Sequence, residues 1–178
     1  MAEDQPGQPP ATLILLDEWR IKYPSSPSPY IFEASISYFR TTAILRDRLA
    51  RSTYPGGIDA LKTKLAEVRT FLEKNKALAA QDPHYYALMI DILRDQRVST
   101  DEMLQVALEG ASRFPTYSEI YYHATRAFGV LSRKPYDDLE ALANAAVEKT
   151  KPALGDEMYA RIYWAATQSI VDINEIGT

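Results

Sequence analysis

The stretch DPHYYALMIDILRDQRVSTDEMLQVALEGASRFPTYSEIYYHATRAF, Asp82 to Phe128, decides the fold. Its prolines Pro83 and Pro115 stand 32 positions apart (115 minus 83), and each is followed two positions later by a tyrosine, Tyr85 and Tyr117. A period in the low thirties is the length of a helix-turn-helix repeat. Asp82 is a good N-cap, and Pro83 falls in the first turn, where its missing N–H would have been unpaired anyway. The helix it opens runs from Tyr85 to about Gln96. Ser99 and Glu102 then read as a capping box, each side chain satisfying the other's backbone donor. Met103, Leu104, Ala107, Leu108 and Ala111 recur at steps of three and four, and such an apolar stripe requires a neighbour to cover it. Phe114-Pro115 closes this helix, because a residue before proline is pushed out of the helical region. Thr116 and Glu119 read as a second capping box. The period-two alternation of strands is missing from the stretch.

The composition of the whole chain agrees. Its 178 residues are 46% hydrophobic, 25% charged and 11% aromatic, which lies among folded proteins and far from the polar, highly charged range of disorder. A net charge of −4 with a pI of about 5.3 argues against nucleic acid, whose binding rests on clustered Lys and Arg neutralising phosphates. The chain has no cysteine, so disulfide staples, thiolate nucleophiles and cysteine-ligated zinc are excluded. Near the start the longest apolar run is Leu13 to Leu16, short for a signal-peptide core and far below the roughly 20 residues of a membrane span. A cytoplasmic protein that engages neither membrane nor nucleic acid is therefore expected.

Working outward, residues 1–10, with three prolines, one glycine, two glutamines and two acidic residues, read as a disordered tail. A first helix covers about Thr12 to Lys22 and ends at Tyr23-Pro24. Ser28-Pro29 opens a second, Tyr30 to about Arg51, whose terminal Arg46, Arg48 and Arg51 suit the negative end of the helix dipole. Tyr54-Pro55-Gly56-Gly57 breaks the chain. A third helix follows from Ile58 to about Ala80, with Ile58, Leu61, Leu65, Val68 and Leu72 on one side. After the central pair come a helix from Tyr117 to about Ser132, a helix capped by Asp137 and Glu140 that ends at Lys151-Pro152, and a last one opened by Gly155-Asp156. The sum is an all-α fold of about eight helices in antiparallel pairs. They form one domain over residues 11–173 with a short tail at 174–178, stacked as a short right-handed α-solenoid.

Helix-closing prolines at Pro24, Pro83, Pro115 and Pro152 make the chain resemble tetratricopeptide-type helical arrays. The Gly and Tyr of the first helix of the repeat have no counterpart, since Asp91 and Arg94 stand in such places. It is more specifically similar to a family of uncharacterised bacterial proteins with divergent repeats of this kind. The resemblance rests on Trp19 with Tyr23-Pro24 and Ser26, the Pro-x-Tyr starts at Pro83 and Pro115, and the run from Gly155 through Glu157, Met158, Tyr159, Arg161 and Tyr163 to Trp164. It covers roughly Thr12 to Ser169. Ser132 to Asp137 departs from it, where many members carry a Trp-Gly-Gly element. The resemblance implies the helical array and carries no activity.

Catalytic and metal chemistry find little support. His84 and His123 are the only histidines, 39 positions apart (123 minus 84), and neither has an acidic residue at evident ligand spacing, so no metal or cofactor is expected. There is no Gly-x-Ser-x-Gly. The adjacent acids Asp101-Glu102, Asp137-Asp138 and Asp156-Glu157 all open helices, where capping explains them, and Gly56-Gly57 lacks the lysine of a phosphate loop. The aromatic pattern is more informative. Tyr85, Tyr86, Tyr117, Tyr121, Tyr122, Tyr159 and Tyr163 fall on the first helices of successive pairs. Arg94 and Arg126 both stand eleven positions after a proline (94 minus 83, 126 minus 115), and Tyr122 and Tyr159 both stand seven after one (122 minus 115, 159 minus 152). Repeated offsets imply stacked rows, and Tyr and Arg are enriched in binding hot spots. The expectation is a non-enzymatic module that holds a protein or peptide partner in a Tyr- and Arg-bearing groove. Alternatives are self-association as a homodimer through the last helix, by way of Tyr163, Ile170 and Ile173, and an enzyme or small-ligand binder using the same groove. The last helix is the first member of a pair, so a partner, a second copy or further chain is expected to cover it.

Overall fold

Caps and breakers divide the chain into helices, and no strand is found among the described residues. The computed structural model describes the backbone of residues 11–50 and 57–175, and the side chains of 11–43 and 59–168. The expected tail at 1–10, the Tyr54-Pro55-Gly56 break, Thr178 and its neighbours, and the side chains of Arg46, Arg48, Arg51, Ile170 and Ile173 lie outside the described residues. The elements are α1 (Ala11–Lys22), α2 (Ser28–Ala50), α3 (Gly57–Lys74), α4 (Lys76–Ala79), α5 (His84–Gln96), α6 (Thr100–Arg113), α7 (Ser118–Leu131), α8 (Pro135–Leu154) and α9 (Glu157–Glu175). The ninth helix arises because the expected third one is interrupted at Asn75. There the side-chain amide donates to the Phe71 carbonyl at 2.8 Å, the same acceptor its backbone N–H uses at 3.2 Å. Such local side-chain bonding competes with helix propagation.

The helices gather into two compact units, Met1–Tyr85 and Tyr86–Thr178. In the first, α2 pairs with α3 and α1 packs on α2. The apolar stripes meet as their spacing requires, with Ile31, Ala34 and Tyr38 of α2 and Leu65, Val68 and Leu72 of α3 buried. Of α1 only Leu16 is buried. Arg20 fixes α1 to α2: it donates to Asp17 at 2.7 Å and to Glu33, and its guanidinium lies 4.7 Å from the Tyr30 ring centre.

In the second unit α7 is the hub, packing against α6, α8 and α9. Its buried residues Ile120, Tyr121, Ala124, Ala127 and Phe128 are the expected apolar side, as are Met103, Ala107 and Ala111 of α6. The Tyr121 hydroxyl, inside this core, donates to the Pro115 carbonyl at 2.9 Å. Burial pushes that phenol up to about 12.

Three expected helix ends differ. Ser99 caps α6 as predicted, accepting from the Glu102 N–H at 3.3 Å, but α7 takes Tyr117 as its N-cap with no side-chain cap bond, so the Thr116 and Glu119 box does not form. Asp137 and Glu140 do not cap α8. That helix starts two residues earlier at Pro135, and its entry is organised by Ser132, whose hydroxyl accepts from the Lys134 N–H at 2.8 Å and donates to Asp138 at 2.7 Å. Finally, α8 runs through Pro152 to Leu154. A proline removes one backbone bond and crowds the preceding turn, and two residues from the helix end the loss is tolerated. Gly155, at φ 57° and ψ −132°, takes a positive-φ conformation open to glycine, and the helix stops there. No described helix is long and apolar enough to cross a membrane.

Candidate partner-binding surface

The predicted groove residues separate into three sets. Tyr85 and Tyr86, 3% and 0% exposed, belong to the core and leave the surface row, as does the fully buried Tyr121 of α7. Four successive apolar residues follow them in α5, Ala87 to Ile90, all buried, so this helix is enclosed nearly all round and its tyrosines go inward. The Tyr86 hydroxyl donates to Glu109 at 3.1 Å and accepts from Arg113 at 3.0 Å on α6. Burial raises its pKa above the ordinary phenol value, against the lowering effect of Arg113. Tyr117 is half-buried at the N-cap of α7, where its backbone serves the helix start.

The second set lies on α5, α7 and α9. Arg94 is held by Asp91 at 2.8 Å and Asp95 at 2.9 Å. The other Asp91 oxygen stands 2.9 Å from Nδ1 of His123 on α7, a short contact without hydrogen-bond alignment. On the far side of the imidazole, Nε2 lies 3.7 Å from Glu119, four residues earlier on the same helix. The expectation that His123 lacks acidic neighbours is therefore corrected. Tyr122, half-buried, and Arg126, exposed, share the outward side of α7. From α9 the Arg161 guanidinium reaches both the Tyr122 side chain and Glu157, the latter at 2.6 Å and 3.0 Å. The bond to Glu157 is the main reason that guanidinium is held above its ordinary pKa, with Tyr122 adding less. Two contacts, Asp91 with His123 and Tyr122 with Arg161, thus join three helices.

The third set turns toward α8. Tyr159 and Tyr163, stacked with ring centres 4.9 Å apart, both donate to one oxygen of Glu140, at 2.6 Å and 2.5 Å. Asn144 donates to the other oxygen at 2.9 Å. The bonds from Tyr159, then Tyr163, then Asn144 hold the Glu140 carboxyl below the usual range, and the bond to Glu140 holds the Tyr163 phenol well above it. The predicted row pairing Tyr122 with Tyr159 does not form. Tyr159 turns instead to Glu140, and Arg161 is the residue of α9 that reaches Tyr122.

The sequence gives Glu119 and Glu140 only capping roles and Arg161 only a place in the resemblance, and it notes Asp91 only as a departure from the repeat. The offset rule does contain the Asp91–His123 pair, since both stand eight positions after a proline (91 minus 83, 123 minus 115). Of the predicted self-association residues, Tyr163 is half-buried against Glu140, while Ile170 and Ile173 lie outside the described side chains. No group of three or more metal-ligating side chains occurs among the described residues. The first unit has a cleft of about 310 Å³ between α2 and α3, lined by Ser37, Thr41, Val68 and Phe71 among others. Its charged rim is already matched, Lys64 with Glu67 at 2.8 Å and Glu33 with Arg20. Comparison with family models, with curated proteins and with solved structures finds no match to this chain.

Proposed function

We propose that the chain is a non-enzymatic interaction module of tetratricopeptide-like kind, akin to the uncharacterised bacterial proteins it resembles, acting in the cytoplasm without a cofactor. In this reading α5 to α9 stack as a short right-handed array whose first helices hold a protein or peptide partner. The observation that carries it is the joining of α5, α7 and α9 by the Asp91–His123 and Tyr122–Arg161 contacts. On this surface Arg94 and Arg161 are already held by carboxylates, so they lose less conformational freedom when a partner arrives. Capture from a lysate of the source cells by the full chain and by a Tyr122→Ala, Arg126→Ala double variant tests this. Captured proteins are expected to be lost with the double variant and kept with Tyr136→Ala, an exposed change on α8. An identical captured set from all three would overturn the reading.

A further inference from the structure

We propose that two copies of the chain associate antiparallel through the outer side of α2, with α1 flanking the contact. This contact concerns the first unit alone and does not depend on the α5–α7–α9 face. Six of the nine exposed large apolar residues of the described chain fall between Ile14 and Phe39, on α1, α2 and the turn joining them. On α2 they belong to a seam. Ile31, Ala34 and Tyr38 are buried, while Phe32 (54% exposed), half-buried Ile36, Phe39 (62% exposed) and exposed Ala43 recur on another side at steps of four, three and four. That is the a/d spacing with which one helix covers another. The Trp19 ring centre lies 5.9 Å from that of Phe32, and Leu15, also exposed, stands one turn before Trp19 on the same side of α1. The two helices thus offer a groove rather than a ridge.

The seam is complementary to itself. When two such helices run antiparallel, an a residue meets a d residue of the other, so Ile36 stands against Phe39 of the second copy and Phe32 against its small Ala43. The flanking positions 33 and 40 then face each other and bring Arg40 of one copy to Glu33 of the other, a carboxylate of which Arg20 engages one oxygen. A parallel pair would set Arg40 against Ser35 instead, and flanking charges of this kind decide orientation. A membrane surface favours a broad apolar face fringed by Lys and Arg. This strip is one seam wide, uncharged along its length, with Ser35 and Thr42 on one edge and one acid and one base on the other. Two aromatic residues of about 200 Å² each, more than half open, with the open parts of Leu15, Trp19 and Ala43, offer on the order of 500 Å² per copy. Doubled, that reaches the roughly 1,000 Å² at which specific interfaces begin, so the dimer is one that dissociates on dilution.

Sedimentation velocity of the full chain over a concentration series tests the proposal. The wild-type chain is expected to pass from monomer to dimer as concentration rises. Phe39→Glu should raise the dimer Kd at least about tenfold, the scale of burying one such ring, and Arg40→Glu about threefold. Trp164→Ala, an exposed change on α9, should leave the Kd as it is. Circular dichroism checks that each variant folds, and Arg40→Glu, at an exposed position, keeps the test decisive should Phe39→Glu not fold. A wild-type chain that stays monomeric throughout would overturn the inference, and its retention on phosphatidylserine vesicles would give the face to lipid instead. A dimer that ignores Phe39→Glu and Arg40→Glu but is lost with Trp164→Ala would move the contact to α9 and overturn it as well.

Discussion

The backbone of Gly110 lies so close to the Tyr86 ring that a Cβ at position 110 would stand 2.7 Å from Tyr86 Cγ and 2.9 Å from Ile120 Cδ1. Tyr86 has no room to retreat, being fully buried with its hydroxyl held by Glu109 and Arg113. Gly110→Ala would gain about 1 kcal/mol of helix propensity. It must also move the ring and the α6 backbone apart, and overpacking costs typically about 1–3 kcal/mol. The collision involves ring and Cβ atoms near the Tyr86 backbone, so the larger cost is expected and the variant should be less stable by about 1–2 kcal/mol. Gly129→Ala, in the last turn of α7 with open space around it, should gain a part of the roughly 1 kcal/mol that separates Gly from Ala in a helix interior. Urea unfolding of both variants checks the pair, and equal stability of Gly110→Ala and wild type would refute the close packing of α5 on α6.

The two capping-box patterns make a second contrast. Ser99 has extended backbone, φ −65° and ψ 148°, and its hydroxyl accepts from Glu102, so Ser99→Ala should cost about 1 kcal/mol. Thr116 carries the same pattern but Tyr117 occupies the N-cap. Thr116→Ala, at an exposed position, should change stability by less than about 0.5 kcal/mol. Thermal unfolding decides between them, and a comparable loss in both would mean that Thr116 does cap α7.

These contrasts show how far the sequence carries. Apolar residues at steps of three and four place Met103, Ala107 and Ala111, or Ile120, Ala124 and Phe128, in the core, because the stripe is a property of one helix alone. Positions that depend on where a neighbouring helix ends are not legible in the same way. The Ser/Thr-x-x-Glu pattern is local, and whether it caps depends on whether the helix starts there or a residue or two to either side. Pro152 illustrates the consequence. Read as a terminator, it sets Tyr159 level with Tyr122, whereas the helix continues to Leu154, Arg161 reaches Tyr122 and Tyr159 meets Glu140. Between α5 and α7 the same counting from the proline does bring Asp91 to His123, although they are the eighth residue of α5 and the sixth of α7.

The Glu140 clasp on α9 fixes a pH window. Glu140 has its folded pKa depressed by the hydrogen bonds of Tyr159, Tyr163 and Asn144. A depressed carboxyl stabilises the fold above its unfolded pKa, about 4.3, and that contribution is lost as pH falls through the folded value. Tyr163 has its folded pKa raised, first by the bond to Glu140. A raised group contributes fully below its unfolded pKa, about 10 for tyrosine, and the contribution is lost as pH climbs through the raised value. The α8–α9 contact should therefore be strongest between about pH 5 and pH 10. Glu140→Gln removes the charge that sustains both limits, so the acid limb of the stability profile should shift and Tyr163 should ionise closer to pH 10. Tyr121, pushed up to about 12 by burial rather than by a carboxylate, is the internal reference. Tyrosinate absorbance against pH, with Tyr163→Phe to assign the step, makes the measurement. A Tyr163 step that stays in place in Glu140→Gln would mean that the carboxylate does not hold the phenol.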